Sequence, residues 1–485
     1  MVKPLYLILF FLSAVLLYSI GNWSLPLIDR DEPRFAEASR EMRQSGDFII
    51  PRLNGDYRFD KPPLIYWCQV LSYDLFGAND VAARLPSAVF AALTGLVTLI
   101  FGTRIYGERV GIWAGVLFAT SLQVFIHARA AVADMPLVFF FLLATWADWE
   151  RRNTPKSGRW WWTFYVALGL GFLAKGPVAL LPALFGPMQL LLTHDARRID
   201  LRSTFLGTLV VLAVIGIWGI PALIATNGAY LEIGLGKHVV QRSLHPMESH
   251  GLPGVIGYLL SLPYYLLATL FSFFPWCLYL PLCVKRLWLK RESKEYYLLG
   301  PILIVFFVFT IIQTKLPHYV LPAYPMLAIL AAREVAESRW RYGFAAAALL
   351  LYMALGFIGF PLIEPEFLSK RIAQEALPLV SPDTRTASLN YDEQSLIWYL
   401  RAKTHPFHTR IDASEFGAFM NQPGPALCVA NEESLVKIQL DPSWKTFDLS
   451  GYNFARWKLG PVTLFGLPMT LPVPQKLDLV TVIKR

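Results

Sequence analysis

Asp29-Arg-Asp-Glu-Pro-Arg-Phe-Ala-Glu-Ala-Ser-Arg-Glu-Met42, with Asn54-Gly55 and Phe59-Asp-Lys-Pro-Pro63 after it, is the most densely charged stretch in the first half of the chain. Apolar runs flank it, at residues 4–21 before and 86–103 after. Charges set beside runs that can cross a bilayer are costly and are kept where they have a use. Asp31 or Glu32 is placed to cap a short helix with Pro33 in its first turn, and Ser45-Gly46 is placed to end it. Phe35, Ala38 and Met42 fall on one face, and Arg34, Glu37 and Glu41 on another. The pattern predicts an amphipathic helix lying on a membrane surface. Taken alone, it leaves open whether Asp31 only caps the helix or carries chemistry.

The rest of the chain explains the setting. Of 485 residues, 55% are hydrophobic and only 16% charged, with a mean hydropathy of +0.43. A soluble domain carries roughly 25% charged residues. Apolar segments recur at 110–126, 132–148, 160–174, 177–193, 204–223, 263–284, 298–313, 319–332 and 343–363. With the two flanking runs that makes about eleven, and short or tilted helices would raise it to about thirteen. The expected fold is an all-α polytopic membrane protein, with residue 5–20 hydrophobicity read as an uncleaved first helix.

The net charge of +9 does not point to nucleic acid, because the basic residues cluster in short loops between apolar runs. Arg104/Arg109, Arg151/Arg152/Lys156/Arg159, Arg197/Arg198/Arg202, Lys285/Arg286/Lys290/Arg291/Lys294 and Arg333/Arg339/Arg341 all fall on one side, expected to be cytoplasmic. The 22–85 loop, Lys175, the 224–262 loop, Lys315 and the tail then share the opposite face. Cys68, Cys277, Cys283 and Cys428 form no CxxC pair and read as small hydrophobes. Gly234-Leu-Gly236-Lys237 lacks the spacing of a nucleotide-phosphate loop.

Residues 364–485 contain no spanning segment. Strands are expected at Thr386–Asn390, Ala426–Ala430, Val462–Phe465 and Leu479–Ile483, with helices at Glu393–Lys403 and Ser414–Asn421. The chain therefore divides into a membrane domain, 1–363, and a small α/β domain, 364–485.

Beyond Asp31, one acid stands at membrane depth, Asp134 in Ala130-Ala-Val-Ala-Asp134-Met-Pro136. It reads either as a helix cap or as a group facing a cavity. Lys61, Lys175, Arg242 and Lys315 map to the non-cytoplasmic side. Any one could snorkel at an interface, and four on one face make a phosphate site plausible. His238, His245 and His250 share a loop without a standard metal spacing.

Asp31-Glu32-Pro-Arg-Phe-Ala-Glu37, Arg40-Glu-Met, Ser45-Gly46-Asp47 and Asp60-Lys61-Pro62 resemble the first periplasmic loop of the bacterial aminoarabinose (lipid A) transferases. Those enzymes group with the protein O-mannosyltransferases among the GT-C membrane glycosyltransferases. The resemblance runs from the first helix to about residue 365 and fades in the last quarter. Ala174-Lys175-Gly176-Pro177 and Lys315-Leu-Pro-His-Tyr319 also look like elements of that family.

The resemblance implies a hexosyl or pentosyl transferase of the bacterial inner membrane, with its site on the periplasmic face. The donor would be a polyprenyl (undecaprenyl) phosphate sugar, and the acceptor lipid A, another envelope glycan or, less readily, protein. It assigns Asp31 and Asp134 to catalysis, with Glu32 and Tyr319 in support. Lys61 and Arg242, then Lys175 and Lys315, would hold the donor phosphate. It further implies a divalent metal, zinc, on Asp60 with His238 and His250. Asp60 stands where the family has Glu, and His238 lies one residue further from Arg242 than the family pattern. The competing reading is a transporter or flippase of polyprenyl lipids, which would spread charges along a continuous path.

Overall fold

The computed structural model describes residues 2–154, 157–185, 200–241, 254–289, 292–436, 438–464 and 467–484. At 235, 237–241, 254–255, 455–464 and 467–472 only the backbone is described.

Helix α1 (Pro4–Ser19) opens on a proline whose missing N–H is lost where no partner exists anyway. Helix α2 (Asp31–Ser45) follows, then the short hairpin β1 (Arg52–Leu53) and β2 (Asp56–Tyr57). Next come α3 (Leu64–Phe76), α4 (Asp80–Tyr106), α5 (Glu108–Ala119), α6 (Leu122–Ala128), α7 (Asp134–Asn153) and α8 (Gly158–Lys175). The side chain of Asn79 starts α4 by accepting from the Ala82 amide at 2.9 Å.

Small residues let α4 and α5 touch backbone to backbone. A Cβ on Gly111 would lie 2.0 Å from Thr103 Oγ1 and 2.5 Å from the Leu99 carbonyl. In a bilayer, where water gives no drive for helices to associate, such close approach supplies the packing.

Among the described residues, four helices are long and apolar enough to span a membrane: Asp80–Tyr106, Leu201–Ala225, Ser293–Ile311 and Arg341–Glu366. Two bent pairs, Glu108–Ala119 with Leu122–Ala128 (62°) and Ile256–Ser272 with Trp276–Leu289 (112°), raise this to six. The chain is a multi-pass membrane protein, and its described residues hold fewer full-length spans than the eleven to thirteen that hydropathy leads one to expect of the whole chain. The difference is physical. Several apolar runs fold as short pieces, including the tight turns Pro177–Leu184 and Pro317–Ala323, where prolines stop a regular helix. Part of the 177–193 segment lies outside the described residues. Leu201–Ala225 leaves Leu201, Phe205, Ile217 and Ile224 exposed, as a lipid-facing helix does.

The tail forms a five-stranded mixed sheet. Its strands are β3 (Arg385–Leu389), β4 (Thr409–Arg410), β5 (Ala426–Asn431), β6 (Lys445–Leu464) and β7 (Leu467–Lys484). Their order is β4-β3-β5-β7-β6, with β3 parallel to β4 and β5 and the remaining pairs antiparallel. Helices Leu368–Ala376 and Gln394–Leu400 share one buried cluster with the sheet, and Phe416–Asn421 belongs to another. Three expected strands fall on β3, β5 and β7. The fourth, Val462–Phe465, meets the end of β6 at 462–464, with Phe465 outside the described residues, and the full length of the β6–β7 hairpin went unread, because Pro461, Pro468, Pro472 and Pro474 break its strand pattern.

The sequence reading of α2 needs correction. The helix forms as expected, but it does not lie free on a membrane surface. Phe35, Ala38 and Met42 are buried with Ile65, Tyr66 and Val70 of α3. Its charged face is buried too, beneath the C-terminal domain. Arg401 binds both Glu37 and Glu41, the latter at 2.5 Å. Arg40 pairs with Glu37 and donates to the Trp398 carbonyl at 2.8 Å. Trp398 Nε1 and the Tyr399 hydroxyl donate to Asp80 at 2.9 and 3.0 Å, and the Leu27 amide donates to Tyr399 at 2.9 Å. The side-chain amide of Asn54 in the β1–β2 turn exchanges two hydrogen bonds with the His408 backbone, at 2.7 and 2.8 Å.

Asp29 completes this clasp, accepting from the Ser395 amide at 2.8 Å and from the Ser395 hydroxyl. Burial, with Glu393 nearby, pushes its carboxyl up to about 7 against the pull of those bonds. In the unfolded chain it returns to the ordinary carboxylate range, so the folded protein binds its proton more tightly. Stability should therefore fall as pH rises from about 4 through about 7. Thermal midpoints of wild type and Asp29→Asn, measured across that range, should diverge in favour of the variant as pH rises. Parallel curves would remove Asp29 as the titrating group.

Candidate active site

Three local structures bring the charged residues together. The first is the segment before α3. Pro62 and Pro63 restrict the backbone just ahead of the helix, with Pro63 as its N-cap, and Tyr230 donates to the Lys61 carbonyl at 2.7 Å. Asp60 sits between two cations, 2.9 Å from Arg58 Nη2 and 3.0 Å from Lys61 Nζ. Arg58 is buried and also donates to the Tyr66 hydroxyl at 2.9 Å.

The second is the end of α8. Gly176 takes φ +79°, a conformation costly for residues with a Cβ, and its amide closes the helix on Phe172 at 2.7 Å. Lys175 is left in the last turn. The third is the bend between α6 and α7, which puts Asp134 at a helix start, where the amides favour a carboxylate. Lys175 Nζ lies 2.6 Å from Asp134 Oδ1, and His318 Nε2 lies 3.9 Å from the same oxygen. Tyr319 is adjacent, with Lys175 5.9 Å above its ring.

Asp60, Lys61, Asp134, Lys175, His318 and Tyr319 line two cavities at once. One is an apolar pocket walled by residues such as Phe172, Ile215, Trp218 and Leu223. The other is more polar and contains Asp31, Arg30 and Arg129. An apolar chamber thus ends on two lysines, and an exposed Asp31 stands in the chamber beyond them.

Glu32 has a different job. Its carboxylate is buried and accepts from Arg84 Nε and Nη2 at 2.9 and 2.8 Å, from the Ala131 amide at 2.7 Å and from the Ile28 amide at 2.8 Å. It ties the start of α2 to α4 and to the bend before Asp134, which sets Asp31 and Asp134 in one frame. Lys315 stands apart from both cavities. Its ammonium donates to the carbonyls of Phe309, Thr310 and Ile312 at 3.0, 2.5 and 2.6 Å, and so caps the preceding helix. Arg242 and His250 lie outside the described residues, as does the side chain of His238.

His127 and His318 were not singled out from sequence. With Asp134 they place ligand atoms within 4.8 Å of one another. The set does not fit a resident metal well. Lys175 already occupies Asp134, and His127 Nδ1 is 3.0 Å from Gln123. A dication would have to expel the ammonium. Asp60 is likewise flanked by Arg58 and Lys61. Their positions at bends, beside a helix start and a Pro-rich turn, were the signal available for the two histidines.

The family model for dolichyl-phosphate-mannose-protein mannosyltransferases matches residues 60–219. An undecaprenyl phosphate-alpha-4-amino-4-deoxy-L-arabinose arabinosyl transferase of Edwardsiella ictaluri is 30% identical over 70% of this chain and 64% of its own length. One from Sodalis glossinidius is 30% identical over 63% of this chain and 55% of its own. The chain thus spans less than two thirds of these relatives. The crystal structure of ArnT from Cupriavidus metallidurans bound to undecaprenyl phosphate superposes with a TM-score of 0.74 at 21% identity, covering 89% of this chain and 94% of that one. The chain is similar to the aminoarabinose transferases over most of its length and shares the GT-C fold of that structure. The Archaeoglobus fulgidus oligosaccharyltransferase shares the fold more distantly, at a TM-score of 0.51, 13% identity and coverage of 84% of this chain and 65% of that one. None of these neighbours is a transporter. Within this GT-C fold the matched segment, 60–219, contains Lys61, Asp134 and Lys175 of the shared wall.

Proposed function

We propose that the chain transfers a sugar from a polyprenyl phosphate to an envelope acceptor, on the periplasmic face of the bacterial inner membrane. The carrying observation is the apolar cavity that ends on Lys61 and Lys175 and opens, past Asp134, into the chamber of Asp31. The isoprenoid tail takes the apolar chamber. Its phosphate lies against Lys61 and Lys175, with Arg242 as a further cation from the 224–262 loop. Pairing of Lys175 with Asp134 keeps that ammonium placed until a phosphate competes for it.

The reaction is a single displacement at the anomeric carbon. The acceptor oxygen forms the new bond while the bond to the phosphate oxygen breaks, and polyprenyl phosphate leaves. Negative charge grows on the leaving phosphate, where the lysines stabilise it. For a hydroxyl acceptor the proton passes to Asp31; a phosphate acceptor is already deprotonated and needs Asp31 only for orientation. The anomeric centre inverts. Any divalent ion at Asp60 would compete with Arg58 and Lys61, so side-chain cations serve this step. Lipid A, which the aminoarabinose resemblance implies, is the first acceptor to test.

Lys61→Ala should weaken binding of undecaprenyl phosphate to the purified protein. A charge-assisted contact contributes about 1.5–3 kcal/mol, which corresponds to a loss of about tenfold or more. Unchanged affinity would take Lys61 out of the phosphate site.

A further inference from the structure

The turn between α2 and β1 carries an apolar tip that lines neither chamber. Phe48 and Ile49 are both exposed, while the next residue, Ile50, is buried in a cluster with Phe59, Trp218 and Tyr230. The backbone of the tip is fully engaged by side chains. Asp47 accepts from the Ile49 and Ile50 amides at 3.0 and 3.2 Å. Trp67 and Trp218 donate their indole N–H groups to the carbonyls of Phe48 and Ile49, each at 2.8 Å. Pro51 follows and has no amide to satisfy. A turn in water can leave such groups to the solvent, whereas backbone in hydrocarbon needs a protein partner for each of them.

The depth of the tip follows from Trp218. That residue lies seven positions before the end of helix Leu201–Ala225, which places it about 10 Å below the helix end at 1.5 Å per residue. Ile217, Ile220 and Ile224 of the same helix are exposed, so the lipid-facing surface runs past Trp218 to the last turn. A turn whose carbonyl is bonded to Trp218 stands at the level of that surface, not above it. The other donor gives the same answer. Leu71 and Leu75, four and eight residues after Trp67 on α3, are exposed on the face that Trp67 shares. Both elements that hold the tip therefore continue into exposed apolar surface.

We propose that Phe48 and Ile49 form a wedge that enters the acyl chains of the bilayer leaflet on the first-loop side. Asp47 and Arg52, 4.0 Å apart, stand at its polar neck. Ile50 joins the wedge to Phe59, two residues before Lys61, so the bilayer sets the level of the Asp60-Lys61 segment. The first loop thus meets lipid through the turn after α2, while the apolar face of α2 itself is covered by α3. This contact stands whether or not the chain transfers a sugar.

The test uses the full chain in nanodiscs of phosphatidylethanolamine and phosphatidylglycerol. Cys68→Ser leaves three cysteines, all buried, as the background. Nitroxide labels are attached at Phe48→Cys and Ile49→Cys, with Ile217→Cys as the lipid-facing standard and Asp56→Cys, exposed in the β1–β2 turn, as the aqueous one. Power saturation compares access of oxygen, which concentrates in acyl chains, with access of a nickel chelate, which stays in water. Labels at 48 and 49 should favour oxygen as the label at 217 does, and the label at 56 should favour nickel. Phe48→Asp should raise nickel access at Ile49→Cys, and Phe48→Leu should leave it low. Nickel access at 48 and 49 equal to that at 56 overturns the wedge. Low access to both reagents overturns it too, because a protein surface, a second copy of this chain included, would then cover the tip.

Discussion

Asp31→Asn should leave expression, folding and undecaprenyl phosphate binding nearly intact while transfer falls by about 10²–10⁴-fold. Asp31 is exposed at the first turn of α2 and lines both the central chamber and the cleft between the first loop and the C-terminal domain. Neighbouring Glu32, not Asp31, carries the hydrogen bonds that hold this region together. Asn keeps the shape at the helix start and cannot take a proton. A helix-capping role alone predicts the reverse, a small loss of stability with ordinary turnover. Single-turnover assays with purified donor decide between them. Wild-type transfer by the variant would leave Asp134 as the acid to examine.

Arg401→Leu should destabilise the protein by about 3–5 kcal/mol, because breaking a buried ion pair strands the remaining charge. Glu37 is fully buried and Glu41 nearly so, and Arg401 reaches both. Glu41 also accepts from the Asn54 and Gly55 amides at 2.6 and 3.0 Å, so its loss of balance reaches the β1–β2 turn and Asp60 beyond it. The variant should show a lower thermal midpoint and faster amide exchange in α2 and in helix Gln394–Leu400. A midpoint equal to wild type would mean that Arg40 alone neutralises the pair.

These two residues mark what sequence can and cannot show. Asp31 stands out because charge beside an apolar run is conspicuous locally. Lys61, Lys175 and Asp134 share that property, and they line the same cavities. Arg401 has no local signature; its partners lie 360 and 364 positions away. For the same reason the periodicity of α2 showed which face is apolar but not what covers each face. Phe35, Ala38 and Met42 meet α3 instead of lipid. Lys315 illustrates the opposite case. It sits in a suggestive run beside a turn, yet its ammonium donates to three carbonyls at the end of the preceding helix. His318, three residues on, reaches the site because the tight turn Pro317–Ala323 aims it there.

Sugar transfer from a polyprenyl phosphate is tested most directly by mass spectrometry of polyprenyl-phosphate sugars and lipid A from a strain lacking this chain. The account predicts that one polyprenyl-phosphate sugar accumulates, that the matching sugar disappears from lipid A or another envelope glycan, and that the intact gene but not Lys61→Ala reverses both changes. Unaltered polyprenyl-phosphate sugars together with an unaltered envelope would contradict it.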